Sequence, residues 1–383
     1  MTDALLTPNA PAALPVKPTA PARKPQLPAL TGVRTLLAIN IMLFHFEPPH
    51  MKYLYPVIDN SYVFVGFFFL LSGFVLAYNY ADRPTLDKRQ FWKARFARLY
   101  PIYLLSLVLF AGMLGAEWHA RSHGEFFAGI VLTPLLLQGW SPALATFWNT
   151  VAWTLSCEAA FYFAFPWVIR LPWPKSPGRL IALLLGVWSL GLVPHALYMH
   201  FNPDHISGPI DRYSSGVWIR ALKYTPLSYA CIFLVGIVLA KLQNSLKLAA
   251  HYRAWIAAAS LVALATFFAT AVSHVPYILM HGGFLVPLFA ALVVGLSGQN
   301  IFASFFAWKP IELLGQASYA IFLLHFNFIN LLRNHHVPER LHLAAYDPWV
   351  SYAATLVLAI AAMYFVERPA RRAILHRRAT PVS

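Results

Sequence analysis

Arginine, histidine and glutamate recur at spacings that suit chemistry in stretches otherwise apolar enough to lie in a membrane. In TGVRTLLAINIMLFHF, Arg34 and His45 stand eleven residues apart. At about 100° per residue this returns them to nearly one helix face, roughly 16 Å apart along the axis. A neutral imidazole, with an ordinary pKa of about 6.5, can take a proton from a hydroxyl, and a guanidinium can offset anionic charge. In FWKARFARLYP, Arg95 and Arg98 project together at i and i+3, two forks able to grip phosphate oxygens bidentately. Membrane anchoring from the cytoplasmic side would place arginines there too.

Glu158 lies about nine residues into the apolar stretch NTVAWTLSCEAAFYFAFP, in a stripe with Thr154 and Tyr162 at i, i+4 and i+8. Ser156 does not share that face. Ser318 and His325, seven residues apart in ELLGQASYAIFLLHFNFINLL, share one face of another helix. Ser156, Tyr162, Ser318 and His325 are therefore supporting candidates behind His45, Glu158 and Arg34. Two alternatives fail on pattern. His119 and His123 have helical metal-pair spacing without a third ligand, so no metal is expected, and Ser72 in LLSGF lacks the GxSxG elbow of a serine nucleophile. Cys157 and Cys231 both sit in apolar segments and offer no disulfide framework.

The elements that must position these residues follow from composition. The chain has 383 residues, 59% hydrophobic and 11% charged, with a mean hydropathy of +0.57. A soluble domain carries about 25% charged residues, so an all-α polytopic membrane protein is expected. The formal charge of +15 does not indicate nucleic acid, because the basic residues fall between long apolar runs. Residues 1–29, rich in Pro and Ala, read as a disordered cytoplasmic tail, residues 30–370 as the transmembrane domain and 371–383 as a basic cytoplasmic tail. Apolar stretches at 30–47, 61–80, 99–116, 149–169, 180–197, 225–243, 254–273, 282–298, 312–333 and 349–367 predict ten helices. Phe126 to Leu137, interrupted by Pro134, is too short to span and reads as re-entrant or interfacial. With both termini cytoplasmic, 21 basic residues fall inside and seven outside, and counting 126–137 as a span would invert everything downstream.

Taken in order, these segments resemble the acyltransferase 3 family of integral membrane O-acyltransferases, which includes O-antigen and exopolysaccharide acetyltransferases and macrolide acyltransferases. TGVRTLLAINIMLFHF resembles the family's first-helix arginine and histidine, VGFFFLLSGFVLAYNY its second helix, and KARFARLYP its RxxR segment. NTVAWTLSCEAAFYFAFP is similar to its WSLSxE stretch, LLGQASYAIFLLHF to SYxxYLLH and FVERPARR to the terminal ErP element. Thr35, Cys157 and Ala159 depart from the usual pattern and suggest a divergent substrate group. No SGNH hydrolase-like extracytoplasmic domain of the kind fused to some members is expected after the tenth helix.

The resemblance implies acyl transfer, acetyl in the first instance, from cytoplasmic acyl-coenzyme A to a hydroxyl of a carbohydrate, lipid-linked glycan or secondary-metabolite acceptor, in a bacterial inner membrane among its lipids. Arg95 and Arg98 would hold coenzyme A phosphates and His45 would be the base. Glu158 would orient the histidine, and Arg34 would offset donor or oxyanion charge. Two rivals stand beside this reading: a proton-coupled secondary transporter, which leaves the RxxR segment unexplained, and an inactive scaffold. No internal repeat of transporter type is visible.

Overall fold

A computed structural model describes residues 24–246 and 248–376. Among them the chain is helical and contains no strand. Seven helical runs are long and apolar enough to cross a membrane, or eight if one bent pair counts as a single span. In order, the helices of eight residues or more are α1 (Pro28–His45), α2 (Val63–Tyr80), α3 (Lys88–Leu109), α4 (Met113–Ala120) and α5 (His123–Leu132). They continue as α6 (Trp153–Val168), α7 (Pro177–Phe201), α8 (Val217–Tyr224), α9 (Pro226–Ser245) and α10 (Ala250–Thr266). The last four are α11 (Val286–Leu296), α12 (Lys309–Asn334), α13 (Trp349–Ala362) and α14 (Arg368–His376). Each of the ten expected stretches contains a helix. Those outside both the span-like set and the bent pair are α6, only 16 residues long, and α12, which is long but studded with polar residues.

Several boundaries differ from expectation for local reasons. The third helix begins at Lys88 instead of 99, because the Asp87 carboxylate accepts from the Gln90 N–H at 3.1 Å and caps it there. Arg95 and Arg98 therefore lie within α3 and not ahead of it. α3 and α4 form the bent pair, turning by 75°. In the expected re-entrant piece, a capping box between Ser122 and Glu125 starts α5, which stops at Leu132.

Residues 133–152 then run as successive tight turns, so α6 starts only at Trp153 and Glu158 sits in its second turn, not nine residues in. Buried backbone in such a segment needs internal partners. The Gln138 amide donates to Ala152 O at 3.2 Å, Asn149 to Leu323 O at 3.1 Å and the Tyr103 hydroxyl to Thr133 O at 2.5 Å. At the termini, Pro28 at the head of α1 makes the helix begin two residues before 30. Residues 371–376, assigned to the basic tail, are helical, while 1–23 and 377–383 lie outside the described residues.

Glycine sets the closest helix approaches. A Cβ on Gly315 would strike the Thr31 carbonyl, so α1 lies almost backbone to backbone against α12, and one on Gly32 would strike the carbonyl of Phe306, just ahead of α12. Gly73 and Gly236 do the same reciprocally for α2 and α9, against Phe233 O and Leu70 O. Small residues allow the backbone contact that holds helices together where no hydrophobic driving force exists between them. At one end of the bundle Lys24 and Arg371 line the same opening, so the two described chain ends meet there.

Candidate active site

The opening at the tail end leads into a cavity of about 340 Å³. α1 gives it Arg34, α2 Ser72, α3 Arg95 and Arg98, α6 Glu158 and Tyr162, and α14 Arg371. The structure brings Arg34, Arg95, Arg98, Glu158 and Tyr162 together on its wall. The cavity is cationic. Glu158 lies within electrostatic reach of Arg34, Arg98 and Arg95, and Arg371 within reach of Arg98 and Arg95. Against these four guanidiniums stand Glu158, Glu312 on the cavity wall, which accepts from Lys309 at 3.0 Å, and the buried Glu367, which accepts from Arg98 Nη1 at 2.7 Å. Glu367 ends a single π-helical turn, Met363–Glu367, that joins α13 to α14 and aims the carboxylate at α3. Lys24 is paired with Asp82 at 2.5 Å. The Nε atoms of Arg34 and Arg95 are buried without a hydrogen-bond partner. Unpaired buried donors are costly, and here they face a cavity able to admit an acceptor.

A narrower extension of about 40 Å³ continues inward, lined by Arg34, Thr154, Glu158, Ser318 and Phe322. Thr154 and Glu158 thus share a face as their spacing requires. Ser318 reaches this wall while donating to Gly315 O at 2.8 Å. The extension ends on aromatic rings. Arg34 lies over Phe68 at 5.5 Å, Phe68 meets Phe322 at 6.1 Å, and Phe322 meets His325 at 6.0 Å.

Beyond those rings is a pair of histidines. His45, the last residue of α1, lies 5.3 Å from His325 between ring centroids and is partly exposed, whereas His325 is fully buried. His325 Nδ1 faces Phe322 O at 2.7 Å and Ile321 O at 3.2 Å. Two carbonyls fix the proton on Nδ1, which leaves Nε2 a bare acceptor, buried and without a partner. Sequence reasoning ranked His325 as support; the structure sets it beside His45 with an unsatisfied nitrogen. Across the pair lies Arg212, which donates to Phe44 O at 3.4 Å and sits 5.0 Å over the Phe44 ring.

Two expectations are corrected here. Glu158 does not orient His45: its charged neighbours are arginines, and the ionisable groups facing His45 are His325 and Arg212. The reason is register, since Arg34 and His45 share a stripe but sit at opposite ends of α1, and Glu158 packs opposite Arg34. Ser156 is not part of the site. Its hydroxyl accepts from the Gly139 N–H at 3.2 Å and braces the turn segment.

Sequence reading passed over Glu367 and Arg371, although FVERPARR was legible as a motif and four-residue spacing puts both on one helix face. Ser72, set aside as a nucleophile, lies on the cavity wall and donates to the Tyr162 hydroxyl at 3.2 Å. His119 and His123 end up on different helices, the second stacked on Trp118.

Comparison with known proteins matches this arrangement to a family. An acyltransferase 3 family model, described as an acyltransferase domain, matches residues 27–368. Acyltransferase MdmB of Streptomyces mycarofaciens is 34% identical over 39% of this chain and 41% of its own length. O-acetyltransferase OatA of Staphylococcus aureus is 25% identical over 90% of this chain and 57% of its own. Peptidoglycan O-acetyltransferase OatA of Listeria monocytogenes is 23% identical over 90% of this chain and 56% of its own. The chain thus spans less than two thirds of the length of these relatives. No solved structure matches. With the family pattern running from the first helix to the terminal motif that pairs with Arg98, the chain belongs to the acyltransferase 3 family.

Proposed function

We propose that this chain is an integral membrane O-acyltransferase that moves an acyl group, acetyl in the first instance, from acyl-coenzyme A to a hydroxyl of a carbohydrate or lipid-linked glycan. The observation that carries the reading is the cationic cavity joined by a file of rings to two histidines. Four guanidiniums stand against Glu158, Glu367 and a Glu312 already paired with Lys309, which leaves an excess positive charge that an anionic donor would neutralise. A diphosphate at Arg95 and Arg98 would send the thioester arm inward past Arg34. That arm spans roughly five residue-sized units, a reach on the order of 15 Å. It is comparable with the roughly 16 Å that separates Arg34 from His45 along α1. Phe68 and Phe322 would part to admit it.

At the far end His45, neutral, takes the proton from the acceptor hydroxyl as its oxygen attacks the thioester carbonyl. His325 holds its own proton on Nδ1 and offers Nε2 to that same proton or to the N–H of His45. The tetrahedral intermediate collapses, the carbon–sulfur bond breaks, and the leaving thiolate takes from His45 the proton it had accepted, giving an ester, coenzyme A and a neutral histidine. Arg34 offsets the donor's charge, and Glu158 fixes the guanidinium cluster. The name of the Listeria relative, a peptidoglycan O-acetyltransferase, supports a carbohydrate acceptor.

Ten crossings with both tails in the cytoplasm of a bacterial inner-membrane protein complete the reading. The meeting of the two ends of the described residues at one mouth supports an even number of crossings, and the bias of basic residues supports their side. Reporters at residue 383 and in 81–98 should then read cytoplasmic, and one near Asp204 external.

The deciding experiment measures O-acyl groups on envelope glycans by mass spectrometry in a deletion strain carrying wild-type or His45→Ala protein at equal membrane abundance. Ester appearing with wild type and vanishing with the variant is expected. Equal ester in both overturns the assignment, and proton-coupled uptake without any acyl transfer would replace it with a transporter.

A further inference from the structure

We infer that Arg371 is a donor-specificity residue that reads the 3′-phosphate of coenzyme A at the cavity mouth. The inference rests on the acyl-coenzyme A reading above and extends it to a residue outside the RxxR pair. The cations along the cavity differ in depth. Arg34 also lines the inner extension and has a buried Nε, Arg95 and Arg98 are partly buried, and Arg371 is exposed. The anionic groups of the donor follow the same order from its reactive end, with the thioester first, then the diphosphate and last the 3′-phosphate on the ribose. If Arg95 and Arg98 take the diphosphate, the next cation outward on the cavity wall meets the terminal phosphate.

Charge placement adds a second argument. The groups facing Arg371 are Arg98, Arg95, Glu367 and Tyr80. Of these, Glu367 accepts from Arg98 at 2.7 Å and keeps its other oxygen buried without a hydrogen-bond partner, so the guanidiniums crowd one another around a single carboxylate with which Arg371 makes no ion pair. Such crowding is unfavourable in the empty site and is relieved by a dianion, whereas a purely structural arginine would gain from pairing with a free acid. The π-helical turn Met363–Glu367 fixes this geometry, since it rotates the start of α14 so that Glu367 meets Arg98 while Arg371 reaches the mouth.

The test uses the full chain in detergent or nanodiscs and measures binding of coenzyme A and 3′-dephospho-coenzyme A by calorimetry at low salt. Wild type should bind the dephospho form about tenfold more weakly, a charge-assisted contact discounted for exposure. The gap should narrow as salt is raised. Arg371→Gln should bring the ratio close to one, with Arg371→Lys restoring part of it. Arg372→Gln, on the same helix but not on the cavity wall, should keep the wild-type ratio. Equal affinity of wild type for both compounds overturns this inference and leaves the donor reading standing. Failure of either compound to bind wild type overturns the donor reading and this inference with it.

Discussion

The two ends of the bundle are built on opposite electrostatic plans. At the tail end, guanidiniums outnumber carboxylates, two Nε atoms lack partners, and an open cavity of about 340 Å³ lies beside them. At the far end the buried cation Lys223 is engaged by the protein itself. The buried Lys223 ammonium donates to Asp211 O and Arg212 O, both at 3.2 Å, and to Ser214 O at 2.9 Å, which locks the loop that presents Arg212. Its own carbonyl accepts from the Tyr229 hydroxyl at 2.8 Å, and Tyr229 in turn meets His281 Nδ1 at 2.9 Å. An unsatisfied cationic cleft suits a ligand that arrives and leaves, and a rigid satisfied shell suits groups that must be held in register for proton transfer. Within that shell His325 Nε2 is left bare, as are His195 Nε2 and Trp148 Nε1.

Breaking the far end should therefore cost rate, and breaking the tail end should cost donor affinity. The largest effect is expected from His45→Ala, which should lower kcat about 10²- to 10⁴-fold, the usual worth of a general base. Donor affinity should stay near wild type, because the phosphates bind at the other end. His325→Ala should fall in the same class, since it deletes the other acceptor nitrogen of the pair. A rise in donor Kd equal to the loss in rate for either variant would erase the division between the ends.

Arg95→Ala comes next. Loss of a charge-assisted hydrogen bond is worth about 1.5–3 kcal/mol, which corresponds to a donor Kd raised roughly 10- to 150-fold with kcat much less affected. Arg95→Lys should recover little, because an ammonium cannot make the fork contact. Arg98→Ala should do at least as much harm to folding as to binding, for it strands the buried Glu367 carboxylate. Thermal unfolding measured beside donor titration separates the two effects. Unchanged donor affinity in Arg95→Ala would return the RxxR segment to membrane anchoring.

The difference between the ends also explains what was legible in the sequence. Charged residues within apolar runs are rare enough to stand out singly, so Arg34, Glu158 and the RxxR pair were visible, and helical spacing placed them on common faces. Helix identity was visible for the same reason, since an apolar stretch of about 20 residues has few other uses. Pairings across the bundle were not visible. That Glu158 meets Arg34 instead of His45 depends on the offset between α1 and α6, which the turn segment 133–152 sets. The turns are held by Gln138, Asn149 and Ser156, residues whose types give no hint of their partners. The start of α3 was missed because a hydropathy reading ends where polar residues begin, whereas the helix ends at its cap on Asp87.

The smallest expected effect belongs to Ser72→Ala, and it probes the comparison most sharply. Ser72 lies on the cationic cavity beside Tyr162, its hydroxyl donating at 3.2 Å to the Tyr162 oxygen, while Glu158 is one helical turn from that tyrosine. A neutral hydrogen bond contributes about 0.5–1.5 kcal/mol net, so removing it should change kcat/KM by roughly 2- to 12-fold. If Ser72 were instead a nucleophile carrying the acyl group, the chemistry would sit at the tail end among the arginines, and its loss would match or exceed that of His45. Steady-state rates of Ser72→Ala and His45→Ala, measured on protein of equal thermal stability, distinguish these outcomes. A loss of 10²-fold or more in the serine variant would move the reacting centre to the cationic end and leave the far histidines without their assigned role.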